Sequence, residues 1–161
     1  FRHADFIFSF LIGKNTFLLL SKEARITIKE GVVMKDNNAI RIRKNGELIL
    51  GKNVNISYYV SINCIEKIEI GDDTGIAEGC KFYDHDHAFV TEPTYEWKQN
   101  EFNTAPIIIG KNVKIYSEVT ILKGVTIGDN CIIGAKCLIN RNIPANSIIM
   151  SKVQNLKIPL M

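Results

Sequence analysis

A chain of 161 residues with 46% hydrophobic side chains has enough apolar material for one domain with a buried core. The net charge of +3 is spread along the chain, which excludes the concentrated basic stripe of a nucleic-acid surface but suits a small anionic ligand. Cys64, Cys80, Cys131 and Cys137 form no C-x-x-C pair and no zinc-finger spacing with histidine. They read as small buried hydrophobes of a reducing compartment, with a cytoplasmic location expected.

In chain order, residues 1–25 come first. FRHADFIFSFLIGKNTFLLL is apolar but is interrupted at Gly13-Lys14-Asn15, so no run reaches the ~18 residues of a spanning helix. It lacks an initiator Met and a small-residue cleavage site, and neither a signal peptide nor membrane contact is expected. A first strand or helix capping the end of the fold is the expectation for this segment.

A repeat then organises residues 26–150. Apolar residues recur every six positions at Leu50, Ile56 and Ile62, slip by two to Ile70, Ile76 and Phe82, and return at Ile109, Ile115, Ile121, Ile127, Ile133 and Ile139. A second apolar series runs through Val113, Val119, Val125, Cys131, Cys137 and Ile143. Six is neither the period of a lone strand nor that of a helix. It predicts short strands joined by tight corners, stacked at about 4.8 Å so that one aliphatic column is buried. Gly51-Lys52-Asn53, Gly71-Asp72-Asp73, Gly110-Lys111-Asn112 and Gly128-Asp129-Asn130 supply corner residues that tolerate left-handed backbone angles. The predicted class is all-β, a solenoid.

KFYDHDHAFV, residues 81–90, holds two of the three histidines, His85 and His87, each preceded by an acid, Asp84 and Asp86. Three readings are open: a proton-transfer site, a metal pair formed by His-x-His, or a solvated loop edge. The six-residue period then vanishes across 88–106, longer than the ~12–15 residues of an ordinary connection. Tyr95, Trp97 and Phe102 in this loop suit stacking on a sugar face, and equally suit pinning the loop against a neighbouring subunit.

The period, the DHDH element and the block NTAPIIIGKNVKIYSEVTILKGVTIGDNCIIGAKCLINRNIPANSII resemble the hexapeptide-repeat acyltransferases, in particular their sugar and polysaccharide O-acetyltransferase branch. The resemblance implies a left-handed parallel β-helix, with the 88–106 loop protruding and a tail at 151–161. It also implies a homotrimer, acetyl-CoA as co-substrate and a sugar hydroxyl as acceptor. Direct transfer then needs a histidine general base and no acyl-enzyme. Counting Phe82 as the inward residue puts His87 sixth in its hexapeptide, where relatives carry the catalytic histidine, and leaves His85 as the alternative. Asp84 or Asp86 would hold the ring's tautomer and stabilise the imidazolium. Relatives that bind a metal through histidine need three of them; His3 is the only other one here, and no metal is expected.

The resemblance also implies cofactor contacts. Ser117 falls where relatives carry a small residue on the pantetheine arm, and Ala135 falls one eighteen-residue coil later. Asn140-Arg141 falls where Thr-Lys approaches the phosphates, with Lys123, Lys136 and Lys152 adding positive charge. Two departures stand out. Lys114 and Tyr116 replace the usual Trp and Gly, and Met150-Ser151-Lys152-Val153-Gln154 replaces a small Ala-Gly-Asn-Pro-Ala segment. They favour the alternative of a non-catalytic scaffold; transfer to an amino sugar is a further alternative.

Overall fold

The computed structural model describes residues 4–6, by their backbone, and 10–151. Short strands wind round a three-sided prism, each coil laying one strand on each of three parallel sheets. The first sheet stacks Ala4–Phe6, Arg25–Ile28, Glu47–Leu50, Lys67–Ile70, Ile107–Ile109 and Thr126–Ile127. The second and third sheets repeat this order one and two faces further on, giving a left-handed parallel β-helix of about six turns. No helix occurs among the described residues.

Register explains the six-residue period. Ile70 pairs with Ile109 and Ile109 with Ile127 on the first sheet, Ile76 with Ile115 and Ile115 with Ile133 on the second, and Phe82 with Ile121 and Ile121 with Ile139 on the third. All twelve periodic residues named from the sequence lie inside the prism, none more than 4% exposed. Each such side chain contributes about 1.5–3 kcal/mol by leaving water, set against the entropy of ordering its backbone. The second apolar series is buried with them, and so are all four cysteines, none of them in a disulfide. Burial pushes the Cys80 thiol up to about 11.

The two-residue slip has a structural cause. Strand partners on the first sheet lie 22 residues apart between early coils, then 20, then 18. In the longer coils the third-sheet strand has four residues, as in Ser61–Cys64, and points Ile62 and Cys64 inward together. The extra inward residue widens the lower coils, and the narrower eighteen-residue coil begins only after the loop.

At the corners the division of labour differs from the sequence expectation. Asn53, Asp73, Asn112 and Asn130 adopt φ of 54°, 59°, 53° and 59°, the left-handed region. The glycines two positions earlier do not. They are required by close approach instead: a Cβ on Gly71 would lie 2.5 Å from the carbonyl oxygen of Gly110 one coil on. The corner side chains also form a ladder, with Asn112 Nδ2 donating to Asn130 Oδ1 at 3.0 Å and Asn130 Nδ2 to Asn146 Oδ1 at 3.2 Å.

Two segments read as irregular or capping elements take regular form. Ala4–Phe6, Leu11–Ile12 and Phe17–Leu20 pair in register with the second coil. The 88–106 loop is largely an antiparallel ribbon of His85–Val90 with Glu96–Thr104, and the ribbon starts inside the DHDH element itself.

Ile62→Ala, at a site with no exposure, is expected to destabilise the fold by about 2–5 kcal/mol, read from the shift of the urea transition. An aromatic disulfide reagent at pH 8 is expected to label none of the four cysteines in native protein and all four after unfolding. Rapid native labelling would contradict the buried column.

Candidate functional site at the third corner

The ribbon leaves the prism at its third corner, at the end of the fourth coil. Phe82 points inward, and two residues later so does Asp84, which is completely buried. Its carboxylate is anchored to the coil beneath: Oδ2 accepts from the backbone N–H groups of Ile65 at 3.0 Å and Glu66 at 2.8 Å, and Oδ1 lies 2.9 Å from the Ile65 nitrogen. Backbone donors compensate the desolvated carboxylate. The same Oδ1 lies 2.9 Å from His85 Nδ1. With that oxygen as acceptor, the ring's proton sits on Nδ1 and Nε2 carries the lone pair. This arrangement can accept a proton at Nε2 while the carboxylate balances the resulting charge.

Alternate residues of a strand share a face, so His85 and His87 point the same way. Phe102 packs against both, at ring-centroid distances of 5.4 Å and 4.6 Å. Trp97 meets His87 edge-on at 4.9 Å. A break in register between His87 and Ala88 permits this: His87 pairs with Phe102, but Ala88 pairs with Lys98. The residues skipped form a bulge that brings Trp97 and Phe102 to one imidazole. The His87 Nδ1 atom is buried and has no hydrogen-bond partner.

Tyr95 lies further along the ribbon with Phe89, at 6.0 Å, and is 69% exposed. Asp86 does not orient either histidine by a hydrogen bond; its Oδ2 lies 3.5 Å from Lys123 Nζ, on the coil after the ribbon. Among the described residues, no group of three His, Cys, Asp or Glu could hold a metal ion.

The expected cofactor residues fall on two edges. Ser117, Ala135 and Lys136 occupy the second corner, stacked through the Lys136 N–H donating to the Ser117 carbonyl at 2.9 Å. There Ser117 Oγ donates to Glu78 at 2.6 Å, and Lys136 lies 3.8 Å from Glu118. Lys123, Asn140 and Arg141 lie at the third corner, on the histidine side. Asn140 and Arg141 border a cavity of about 130 Å³ with Leu138, Ile139, Ile143 and Ile149. The third sheet separates the two groups within one chain. Lys152 lies outside the described residues, and of the altered segment only Met150, 71% exposed, and Ser151 are described. The other departures, Lys114 and Tyr116, line a groove of about 320 Å³ on the second face, away from the ribbon.

Sequence reasoning missed two features. The anchoring role of Asp84 had a signal, since it sits two residues after inward Phe82 and an acid at an inward position must be paired. Arg43 had none: it lies two coils below, yet its guanidinium carbon sits 4.9 Å from the Phe102 ring centroid.

Comparison with known proteins sets this three-sided parallel β-helix beside the hexapeptide-repeat transferases. Residues 106–141 match the family described as bacterial transferase hexapeptide (six repeats). The WbbJ protein of Escherichia coli (strain K12), assigned to lipopolysaccharide biosynthesis as an O-acetyl transferase, is 30% identical over 110 residues, covering 65% of this chain and 56% of that protein. A galactoside acetyltransferase solved with coenzyme A superposes with a TM-score of 0.57 at 27% identity, over 88% of this chain and 61% of the other. A maltose O-acetyltransferase from Clostridium difficile 630 gives 0.57 at 25% identity, over 83% and 64%. The chain is similar to the hexapeptide-repeat transferases in its repeat over residues 106–141 and in its fold over most of its length. It spans a little more than half the length of the Escherichia coli relative.

Asp84→Ala is expected to cost about 1–3 kcal/mol, because the Ile65 and Glu66 N–H groups lose their acceptor. The same change should shift the His85 ring nitrogens in ¹⁵N NMR away from a fixed Nδ1–H tautomer. An unaltered His85 spectrum would show that Asp84 does not hold the ring.

Proposed function

We propose that this chain is an acetyl-CoA-dependent O-acetyltransferase acting on a sugar hydroxyl of a surface polysaccharide or its precursor. The observation that carries the reading is the pair formed by buried Asp84 and His85 at 2.9 Å, set beside an aromatic wall. A sugar hydroxyl keeps its proton at neutral pH and is a weak nucleophile. His85 Nε2 takes that proton as the hydroxyl oxygen attacks the thioester carbonyl, and the imidazolium returns it to the departing thiol. Asp84 keeps Nδ1 protonated throughout and stabilises the transient charge. Trp97, 54% exposed, offers a flat apolar face against which a sugar ring can stack, and Phe102 backs the histidines behind it. The three named relatives, all acetyltransferases and two of them named for sugar substrates, support the same class of reaction.

Register favours a second assignment. His87 occupies the sixth position of its hexapeptide, but its Nδ1 has no partner to fix the tautomer. His85 is therefore the first choice on hydrogen bonding and His87 the second.

Acetyl-CoA supplies the activated acyl group. The third-corner residues suit its phosphates in charge, through Arg141 and Lys123, and Asn140 adds an amide. Ser117, Ala135 and Lys136 lie at the opposite edge of the third sheet, so a neighbouring copy packed edge to edge would complete the groove. A homotrimer meets that requirement.

Two measurements test the reading. Calorimetric titration with coenzyme A should give saturable micromolar binding to the wild type. No binding at millimolar ligand would transfer the assignment to a non-catalytic scaffold, as the altered 150–154 segment suggests. In a transfer assay with neutral and acidic oligosaccharides, the base variant, His85→Ala, should lose about 10²–10⁴ in kcat/KM while retaining coenzyme A binding. A loss confined to His87→Ala would move the base to His87.

A further inference from the structure

The third corner carries a cation that the transfer chemistry does not use. Arg43 closes the second coil, where its N–H donates to the Cys64 carbonyl at 2.8 Å and its carbonyl accepts from Gly46 at 2.9 Å. Its side chain is exposed, and its guanidinium rests over Phe102 at 4.9 Å. Phe102 is the ring that packs on both histidines. Two nearby cations are paired, Arg25 with Glu47 at 3.2 Å and Lys44 with Glu23 at 4.0 Å. Among the described residues, the Arg43 guanidinium has only the aromatic contact.

We propose that Arg43 is the anion-binding residue of the acceptor site, and that the acceptor carries an oxyanion, either a sugar carboxylate or a sugar phosphate. This rests on the transferase reading and narrows its substrate class. An arginine stacked on an aromatic face is held in place yet keeps its edge N–H donors outward, the geometry that receives two oxygens of a carboxylate or phosphate side by side. The ring that holds it also borders the base. An acidic sugar docked on Arg43 thereby places a neighbouring hydroxyl toward the histidines.

The sequence leaves a second arginine on the same outward side. Arg41 belongs to the strand Ala39–Ile42, and its guanidinium lies 5.5 Å from the Phe17 ring centroid. In the third sheet, register places Asn63 beside Arg41 and Tyr83 beside Asn63, a polar column leading from the arginines up to the start of the ribbon. This column extends the anion site toward His85 rather than away from it.

Binding is measured by calorimetry for a glucuronate-containing disaccharide, its carboxyl-reduced form, glucose 1-phosphate and glucose, with wild type, Arg43→Gln and Arg43→Lys. The wild type should bind at least one oxyanion-bearing sugar about tenfold to a hundredfold tighter than its neutral counterpart. Arg43→Gln should bring that ratio to about one, and Arg43→Lys should restore part of it. Preference for the glucuronate identifies a carboxylate acceptor; preference for glucose 1-phosphate identifies a phosphorylated one. Equal affinity for charged and neutral sugars, no binding of any of the four, or a preference untouched by Arg43→Gln overturns the proposal. A parallel transfer assay separates the two readings. Acetylation without preference for an acidic acceptor sinks only the anion site, whereas an Arg43-dependent preference in binding without transfer sinks only the transferase.

Discussion

Parallel stacking of coils in register is the constraint on which everything else depends. Each backbone strand must hydrogen-bond to the equivalent strand one coil away, at the roughly 4.8 Å spacing of a sheet. Side chains at equivalent positions are then forced into columns, so what fits inside one coil must fit inside the next. That is why Ile70, Ile109 and Ile127 form one column on the first face of the prism and Ile76, Ile115 and Ile133 another on the second. The same constraint reaches the corners. Coils so close leave no room for a Cβ at Gly71, and they align the Asn112, Asn130 and Asn146 amides so that each can donate to the next.

The candidate site lies where the winding of the chain is interrupted, although the coils on either side still stack in register. Between the fourth and fifth coils the chain departs as a ribbon, and the point of departure must be fastened to the prism. Asp84 does this by taking an inward position and closing the corner of the coil below through the Ile65 and Glu66 N–H groups. Its remaining acceptor capacity is directed at His85. One buried carboxylate thus has two effects: it secures the base of the ribbon, and it fixes a tautomer. The register break in the ribbon then folds Trp97 and Phe102 over the histidine face. Below them, the wider lower coils bring Arg43 under Phe102.

Much of the prism was legible because its physics is periodic. A six-residue recurrence of aliphatic residues admits few closed forms, and the Gly-x-Asn and Gly-x-Asp corners mark where the chain turns. The reason assigned to the glycines was incomplete, since backbone angle and close approach leave the same mark in a sequence. The first coil lacked a clean six-residue period, and its strands become evident only through pairing with Arg25–Ile28, Val33–Met34 and Ala39–Ile42. The ribbon, too, read as a loop, because antiparallel pairing of exposed strands needs no buried alternation.

By itself the sequence determined the solenoid, its aliphatic column, the burial of its cysteines and the stretch that carries the histidines. These follow from local residue types repeated at fixed spacing. Only the tertiary structure decided that Asp84 rather than Asp86 holds a ring, that Ser117 and Arg141 lie on different edges, and that Arg43 lies beneath Phe102. Those relations join residues from different coils or opposite strands, and their partners are chosen by how the chain closes on itself. Spacing along the chain carries no record of that closure once the period is broken.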